Sequence, residues 1–191
     1  MNIIKILLTA TLLSLLLSCG DKDQALVDDA MSKLDKEFSI KAAFGITIGV
    51  VSEGLPEGYV IENKVIPFTP DKADQRFVQY EYSTTPKSHI IYSIEVKSPR
   101  ELSKENCFEQ RNQLIEKTLH ALGSNTQLKV SEEKNKWKIR EYNQRQITID
   151  CETSITPDEL QLVMIYQDNA LSLLAFKEWK KRQTEITLIR F

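Results

Sequence analysis

One stretch of this chain repeats its apolar residues with the period of a helix, while nearly everything around it repeats with a period of two. Taking about 100° per residue from Cys107, the side chains of Leu114, Thr118, Arg111, Leu122, Ile115, Phe108 and Leu119 fall within roughly −20° to 120°. A stripe of that width packs on a sheet. Ser98-Pro99 breaks the preceding run, Ser103 carries an N-cap side chain, and Gly123 stands where a helix ends on a left-handed residue. The spacing predicts one long helix at roughly 103–122.

The period-two runs predict what that helix covers. "FGITIGVV" places Phe44, Ile46, Ile48 and Val50 on one face while Gly45 and Gly49 thin the other, which reads as a strand. "EGLPEG" is a turn cluster and "TPDKAD" a loop, with "YVIENKVIPF" a weaker strand between them. "RFVQYEY" and "SHIIYSIEV" read as strands joined by the hairpin loop "STTPKS". After the helix come "TQLKVSE", "KWKIREY" and "RQITIDCE", the last two joined by a turn at Asn143-Gln144. "TSITPDE" is a loop, and "LQLVMIYQ", apolar throughout, reads as a central strand buried on both faces. In "DNALSLLAFKEWKKRQT", Asn169 is a candidate N-cap, and Leu171, Leu174, Ala175 and Glu178 follow helical spacing. A strand starting at Ala170 competes with that reading, and "EITLIRF" reads as a last edge strand. The fold class is α+β: an antiparallel sheet of about six to eight strands, the 103–122 helix packed on it, and a C-terminal helix.

The amino terminus carries a different message. Lys5 precedes an apolar run of about 12 residues, the length of a signal-peptide core and short of the ~20 residues a membrane-spanning helix needs. The run ends on Leu16-Leu17-Ser18-Cys19, which resembles the lipobox of bacterial lipoproteins. The resemblance covers residues 1–20 only. It implies that the Cys19 thiol takes diacylglycerol, that cleavage removes residues 1–18, and that the new amino group is acylated. A single acyl chain holds marginally, whereas three attach for good. Gly20 follows the cysteine, which by the same resemblance favours the outer membrane over the inner, facing the periplasm; Asp21 one place on argues weakly the other way. Residues 19–42 read as a lipid-anchored tether. Leu26, Ala30, Met31, Leu34 and Phe38 give it near-helical spacing, so it is a short amphipathic helix or a loose linker that adds nothing to the core. The folded domain is then 43–191.

Removing 18 of 191 residues leaves 173, suited to one domain. The whole chain has 25 basic and 27 acidic residues, and losing Lys5 makes the mature form 24 against 27. No basic excess points to nucleic acid, and no Lys/Arg cluster suggests an electrostatic membrane patch. With Cys19 assigned to lipid, Cys107 and Cys151 remain in a compartment that permits disulfides. They are either bridged or two buried free thiols. Cys107 lies within the helix stripe, and Cys151 shares a strand face with Arg145, Ile147 and Ile149. A bridge follows if the helix crosses that strand, and closing so long a loop is worth about 4 kcal/mol in a chain-entropy estimate.

Catalytic motifs are not found. His89 begins a strand and His120 falls on the solvent side of the helix, neither with a second His or Cys at metal-ligand spacing. Adjacent carboxylates such as Asp28-Asp29 and Glu132-Glu133 point apart and read as solvated faces. Phe77, Tyr80, Tyr82 and Tyr92 cluster in two adjacent strands, with Tyr80 and Tyr82 on the face opposite Phe77. Core packing accounts for most of them; an exposed tyrosine patch would instead be a protein-binding surface. No cofactor or metal is implied. The preferred function is a non-enzymatic binding or assembly module of the cell envelope, held by lipid on Cys19 and working on an envelope protein through its sheet face or an edge strand. An inhibitor or immunity lipoprotein acting on an envelope-directed enzyme is the first alternative, and an envelope hydrolase the second.

Overall fold

The computed structural model describes residues 25, 27–33, 37–53, 65–100, 102–124, 126–133, 136–153 and 159–189. The leader, Cys19, most of "YVIENKVIPF" and most of "TSITPDE" lie outside the described residues. The chain divides into two compact units, residues 1–36 and residues 37–191. In the first, residues 27–32 are helical, and Lys33 Nζ bonds Asp29 one turn back at 2.9 Å.

In the second unit, β1 (Ala42–Ala43) and β2 (Ile46–Thr47) form a small hairpin. Then come β3 (Ile66–Pro67), β4 (Gln79–Thr84), β5 (Ile91–Lys97), helix α1 (Lys104–Leu122), β6 (Leu128–Glu133), β7 (Lys136–Glu141), β8 (Arg145–Thr153), β9 (Leu160–Asp168) and helix α2 (Asn169–Ile189). The last seven strands make one antiparallel sheet in the order β3-β4-β5-β9-β8-β7-β6. The apolar run "LQLVMIYQ" is its central strand, with Val163 and Met164 buried on opposite faces.

Helix α1 lies on β8 and β9 and buries Cys107, Arg111, Leu114, Ile115 and Thr118, the stripe its spacing predicts. Ser103 Oγ accepts from the Asn106 N–H at 3.3 Å, and Gly123 closes the helix at φ 70°. Beneath it, period-two alternation aims Ile139, Ile147, Ile149, Cys151, Leu162, Met164 and Val96 at one core. Arg111 keeps its charge inside the stripe by lying 4.7 Å over the Phe108 ring and reaching Asn112 and Glu132. Cys107 and Cys151 are joined by a disulfide, with their Cα atoms 6.1 Å apart.

Four local expectations need correction. "FGITIGVV" is not one strand. Phe44 and Gly45 have φ of 54° and 89°, which folds the segment into the β1–β2 hairpin. The φ of Gly45 favours glycine there, and a Cβ would stand 3.2 Å from Asp71 Oδ2, which would have to shift slightly. The strand carrying Tyr80 starts only at Gln79, so alternation does not reach Phe77. Phe77, Tyr80, Phe44 and Phe68 pack together instead, with ring centroids 5.4 to 6.4 Å apart in edge-to-face pairs. His89 lies in the β4–β5 turn at φ 54°, ahead of the strand proper. "EITLIRF" is not an edge strand, because α2 continues to Ile189. Extending a helix that already exists fixes few new dihedrals per bond gained, and that outweighs the β-branched composition.

The folded unit also starts earlier than residue 43. Phe38 and Ile40 are 3% and 1% exposed, and Ile40 belongs to the main core cluster. The groups that hydrogen-bond its backbone, Glu141 and Arg145, lie about a hundred residues further along the chain.

Candidate functional site

Two features on the sheet carry charge in an organised way. The first is a buried clamp at one end of β7, β8 and β9. Glu141, at the end of β7, is fully buried and accepts the Ser39 and Ile40 N–H groups at 2.9 and 2.8 Å. Arg145 opens β8 directly across from it, donating through Nη1 to the Ile40 carbonyl at 2.8 Å and through Nε to Asp168 Oδ2 at 3.1 Å. Its guanidinium sits 4.4 Å from the Phe38 ring centroid. Asp168 uses its other oxygen to cap α2, accepting from the Ala170 and Leu171 N–H groups at 2.9 and 3.1 Å. Capping therefore falls to Asp168 and not to Asn169, and the negative carboxylate suits the positive helix end. Buried polar groups are tolerated when they find hydrogen-bond partners, and here Arg145 pairs with Asp168 while Glu141 holds two backbone N–H groups. The turn that brings Glu141 and Arg145 together holds Tyr142 and Asn143 at φ of 51° and 57°, with the Gln144 N–H donating to the Glu141 carbonyl. The loop is thus Tyr142 to Gln144, one residue longer than expected.

The second feature is the sheet face turned away from α1. Strand register lays its side chains in rows. One row runs Gln79, Lys97, Val163, Asp150, Lys136; the next Glu81, Glu95, Ile165, Thr148, Lys138; the third Ser83, Ser93, Gln167, Gln146, Arg140. On β4 and β5 the acids Glu81 and Glu95 stand with one base, Lys97. On β7 and β6 the bases Lys136, Lys138, Arg140 and Lys129 stand with one acid, Glu133. Ion pairs stiffen the array. Lys97 bonds Glu95 at 2.6 Å, Lys136 bonds Asp150 at 3.0 Å, and Lys138 bonds Glu133 at 2.5 Å. The Glu95 hydrogen bond raises the Lys97 pKa and Asp150 does the same for Lys136, while the Lys138 hydrogen bond lowers that of Glu133. The face offers charge complementarity and hydrogen bonds to a macromolecule.

The other candidate residues separate. Cys19 lies outside the described residues. Cys107 and Cys151 form the disulfide and serve the core. His120 is exposed in the last turn of α1, and His89 is held by its backbone, donating to the Thr85 carbonyl and accepting from the Ser52 N–H. Tyr80 is buried, its hydroxyl bonded to the Asp74 backbone, and the Tyr82 hydroxyl meets Ser52 Oγ at 2.8 Å. Tyr80, Tyr82 and Tyr166 lie on the α1 side of the sheet, in register with Val96 and Ile94, and none is exposed. Burial raises the Tyr166 phenol above its ordinary range. Among the described residues, no group of three or more His, Cys, Asp or Glu side chains could hold a metal ion, and no helix is long and apolar enough to cross a membrane. The clamp escaped sequence reasoning because its members are single charges in separate strands, and only their position at strand ends relates them.

No protein-family profile, curated protein or solved structure matches the chain.

Proposed function

We propose that this protein is a lipid-anchored module of the cell envelope. It binds another envelope protein through the sheet face turned away from α1, and its role is assembly and not catalysis. The observation that carries the reading is the uneven charge of that face: Glu81 and Glu95 outnumber Lys97 on β4 and β5, while Lys129, Lys136, Lys138 and Arg140 outnumber Glu133 on β6 and β7. Such a surface selects and orients a partner with the opposite arrangement, because like charges brought together cost several kcal/mol. The lipobox-like Leu16-Leu17-Ser18-Cys19 supports attachment through acylated Cys19 in the outer membrane, facing the periplasm. The clamp gives the folded unit a firm starting point at Phe38 to Ile40, where the tether hands over to the domain.

Photo-crosslinking in intact cells tests the binding claim. A photoreactive residue at Lys138 should give adducts of discrete mass, whereas one at Glu116 on the exposed side of α1 should give none. Adducts from Glu116 alone, or from neither position, would sink the interface. Mass spectrometry of the membrane fraction tests the anchor separately: an acylated Cys19 peptide is expected, and an unmodified terminus in the soluble periplasm would end that part.

A further inference from the structure

Helix α2 presents two unlike sides. Leu171, Leu174 and Ala175 are buried, and Glu178 is turned onto the β4–β5 hairpin, where its carboxylate accepts from the Lys87 N–H at 2.6 Å and Ser88 Oγ at 2.8 Å. Leu173 and Phe176, three residues apart, stand 54% and 56% exposed. Lys177 and Lys180 are exposed at the positions that complete the same side of a 3.6-residue helix. Trp179 flanks them, its ring 6.3 Å from that of Phe176. Between Ala170 and Thr184 the sequence has four cations (Lys177, Lys180, Lys181, Arg182) and a single carboxylate, Glu178, in a chain whose net charge is −2. With Glu178 turned inward, the outer side combines aliphatic and aromatic groups with positive charge alone.

We propose that this side of α2 lies on a bilayer surface bearing anionic headgroups. Leucine, phenylalanine and tryptophan enter the headgroup boundary while lysines meet the phosphates, which is the composition of a helix lying in a membrane interface. The lipid-anchor reading bears on this proposal in one respect, proximity. The 18 residues from Cys19 to Lys36 span at most about 60 Å when fully extended, so an acylated chain keeps α2 within reach of the surface at high effective concentration. A second weak contact then adds strongly to the first. The cations already stand together in the sequence as "KEWKKR"; the structure adds that Lys177 and Lys180 share an exposed side with Leu173 and Phe176.

The test uses the mature chain from Gly20 onward, made without acyl chains, and vesicles of phosphatidylglycerol with phosphatidylethanolamine or of phosphatidylcholine alone. Co-sedimentation with the anionic vesicles, lost in high salt and accompanied by a blue shift of Trp179 emission, is the expected result. Lys177→Glu with Lys180→Glu should weaken binding about tenfold or more. Leu173→Ser with Phe176→Ser should weaken it comparably while leaving thermal unfolding unchanged. Absence of binding, or equal binding to the neutral vesicles, would overturn the proposal. So would a dimer in solution that the Leu173→Ser and Phe176→Ser pair dissolves, since a second copy would then own the surface. Failure here beside an acylated Cys19 peptide removes the helix contact and leaves the anchor. An unmodified Cys19 with vesicle binding intact does the reverse.

Discussion

The two long helices meet the sheet on different terms. Helix α1 buries five residues and is covalently tied to β8. Helix α2 rests chiefly on β5 and β9, buries Leu171, Leu174 and Ala175 near its start, and shows Leu173 and Phe176 to solvent. Both have apolar residues at helical spacing. The difference comes from placement: the stripe of α1 lies over an apolar floor of Ile147, Ile149, Leu162 and Met164, while Leu173 and Phe176 of α2 lie on the side away from Leu171, Leu174 and Ala175. Apolar residues on a helix specify burial only when a matching surface is available. Where it is absent, the same residues become a means of contact.

The largest effects are expected where attachment depends on one group. Arg145→Met leaves Asp168 without its cation and Ile40 without its donor. Loss of one partner from a buried pair costs about 3–5 kcal/mol, which urea unfolding would register as a lower midpoint. A loss below about 1 kcal/mol would mean that α2 is held by packing alone. Replacing Cys107 and Cys151 together by Ala should cost about 4 kcal/mol, and reduction of the native protein should reproduce that shift in melting temperature. An unchanged melting temperature would show that the apolar floor holds α1 without the bridge. Within α2, Leu174→Ala should cost about 2–4 kcal/mol by leaving a cavity.

A pH series sharpens the comparison on the α1 side. Asp74 bonds the Arg76 guanidinium through both carboxylate oxygens and lies 3.5 Å from Lys117 of α1. Its hydrogen bond to Arg76, the largest influence, lowers the pKa from 3.8 to about 2. A folded-state pKa below the unfolded value means the stabilisation is complete above about pH 4 and is lost as pH falls toward 2. Asp74→Asn should therefore flatten the acid limb of the stability curve between those values and leave the neutral region little changed in slope. A curve that keeps its acid slope in Asp74→Asn would place that slope on other carboxylates. The smallest effect belongs to Phe176→Ser, which should alter stability by no more than about 0.5 kcal/mol. Set beside Leu174→Ala on the same helix, it measures directly how unlike the two sides are.

What could be read from the sequence follows the range over which each signal acts. Helix α1 was legible because Ser103, the stripe and Gly123 are local marks within about twenty residues. The disulfide was legible because a helical wheel and a two-residue alternation place Cys107 and Cys151 on sides that face each other. Phe44 and Gly45 misled because a glycine that thins a strand and one that turns the chain look alike until φ is known. The docking of Phe38 and Ile40 was not legible, since the groups that secure it, Glu141 and Arg145, stand about a hundred residues further on. The uneven charge of the sheet face depends on strand order, and no single strand announces it.

Strand order has one more consequence, for the sequence of events in folding. The central strand β9 is the last strand in the chain, inserted between β5 and β8. Until residues 160–168 are available, the molecule is two partial sheets, β3-β4-β5 and β6-β7-β8, each with an unsatisfied edge. Both cysteines of the bridge precede β9, so oxidation can fasten α1 to the later partial sheet while the earlier one still waits. A chain lengthening from its amino terminus would thus remain divisible, and open to chaperones, until residues 160–168 arrive and close the gap.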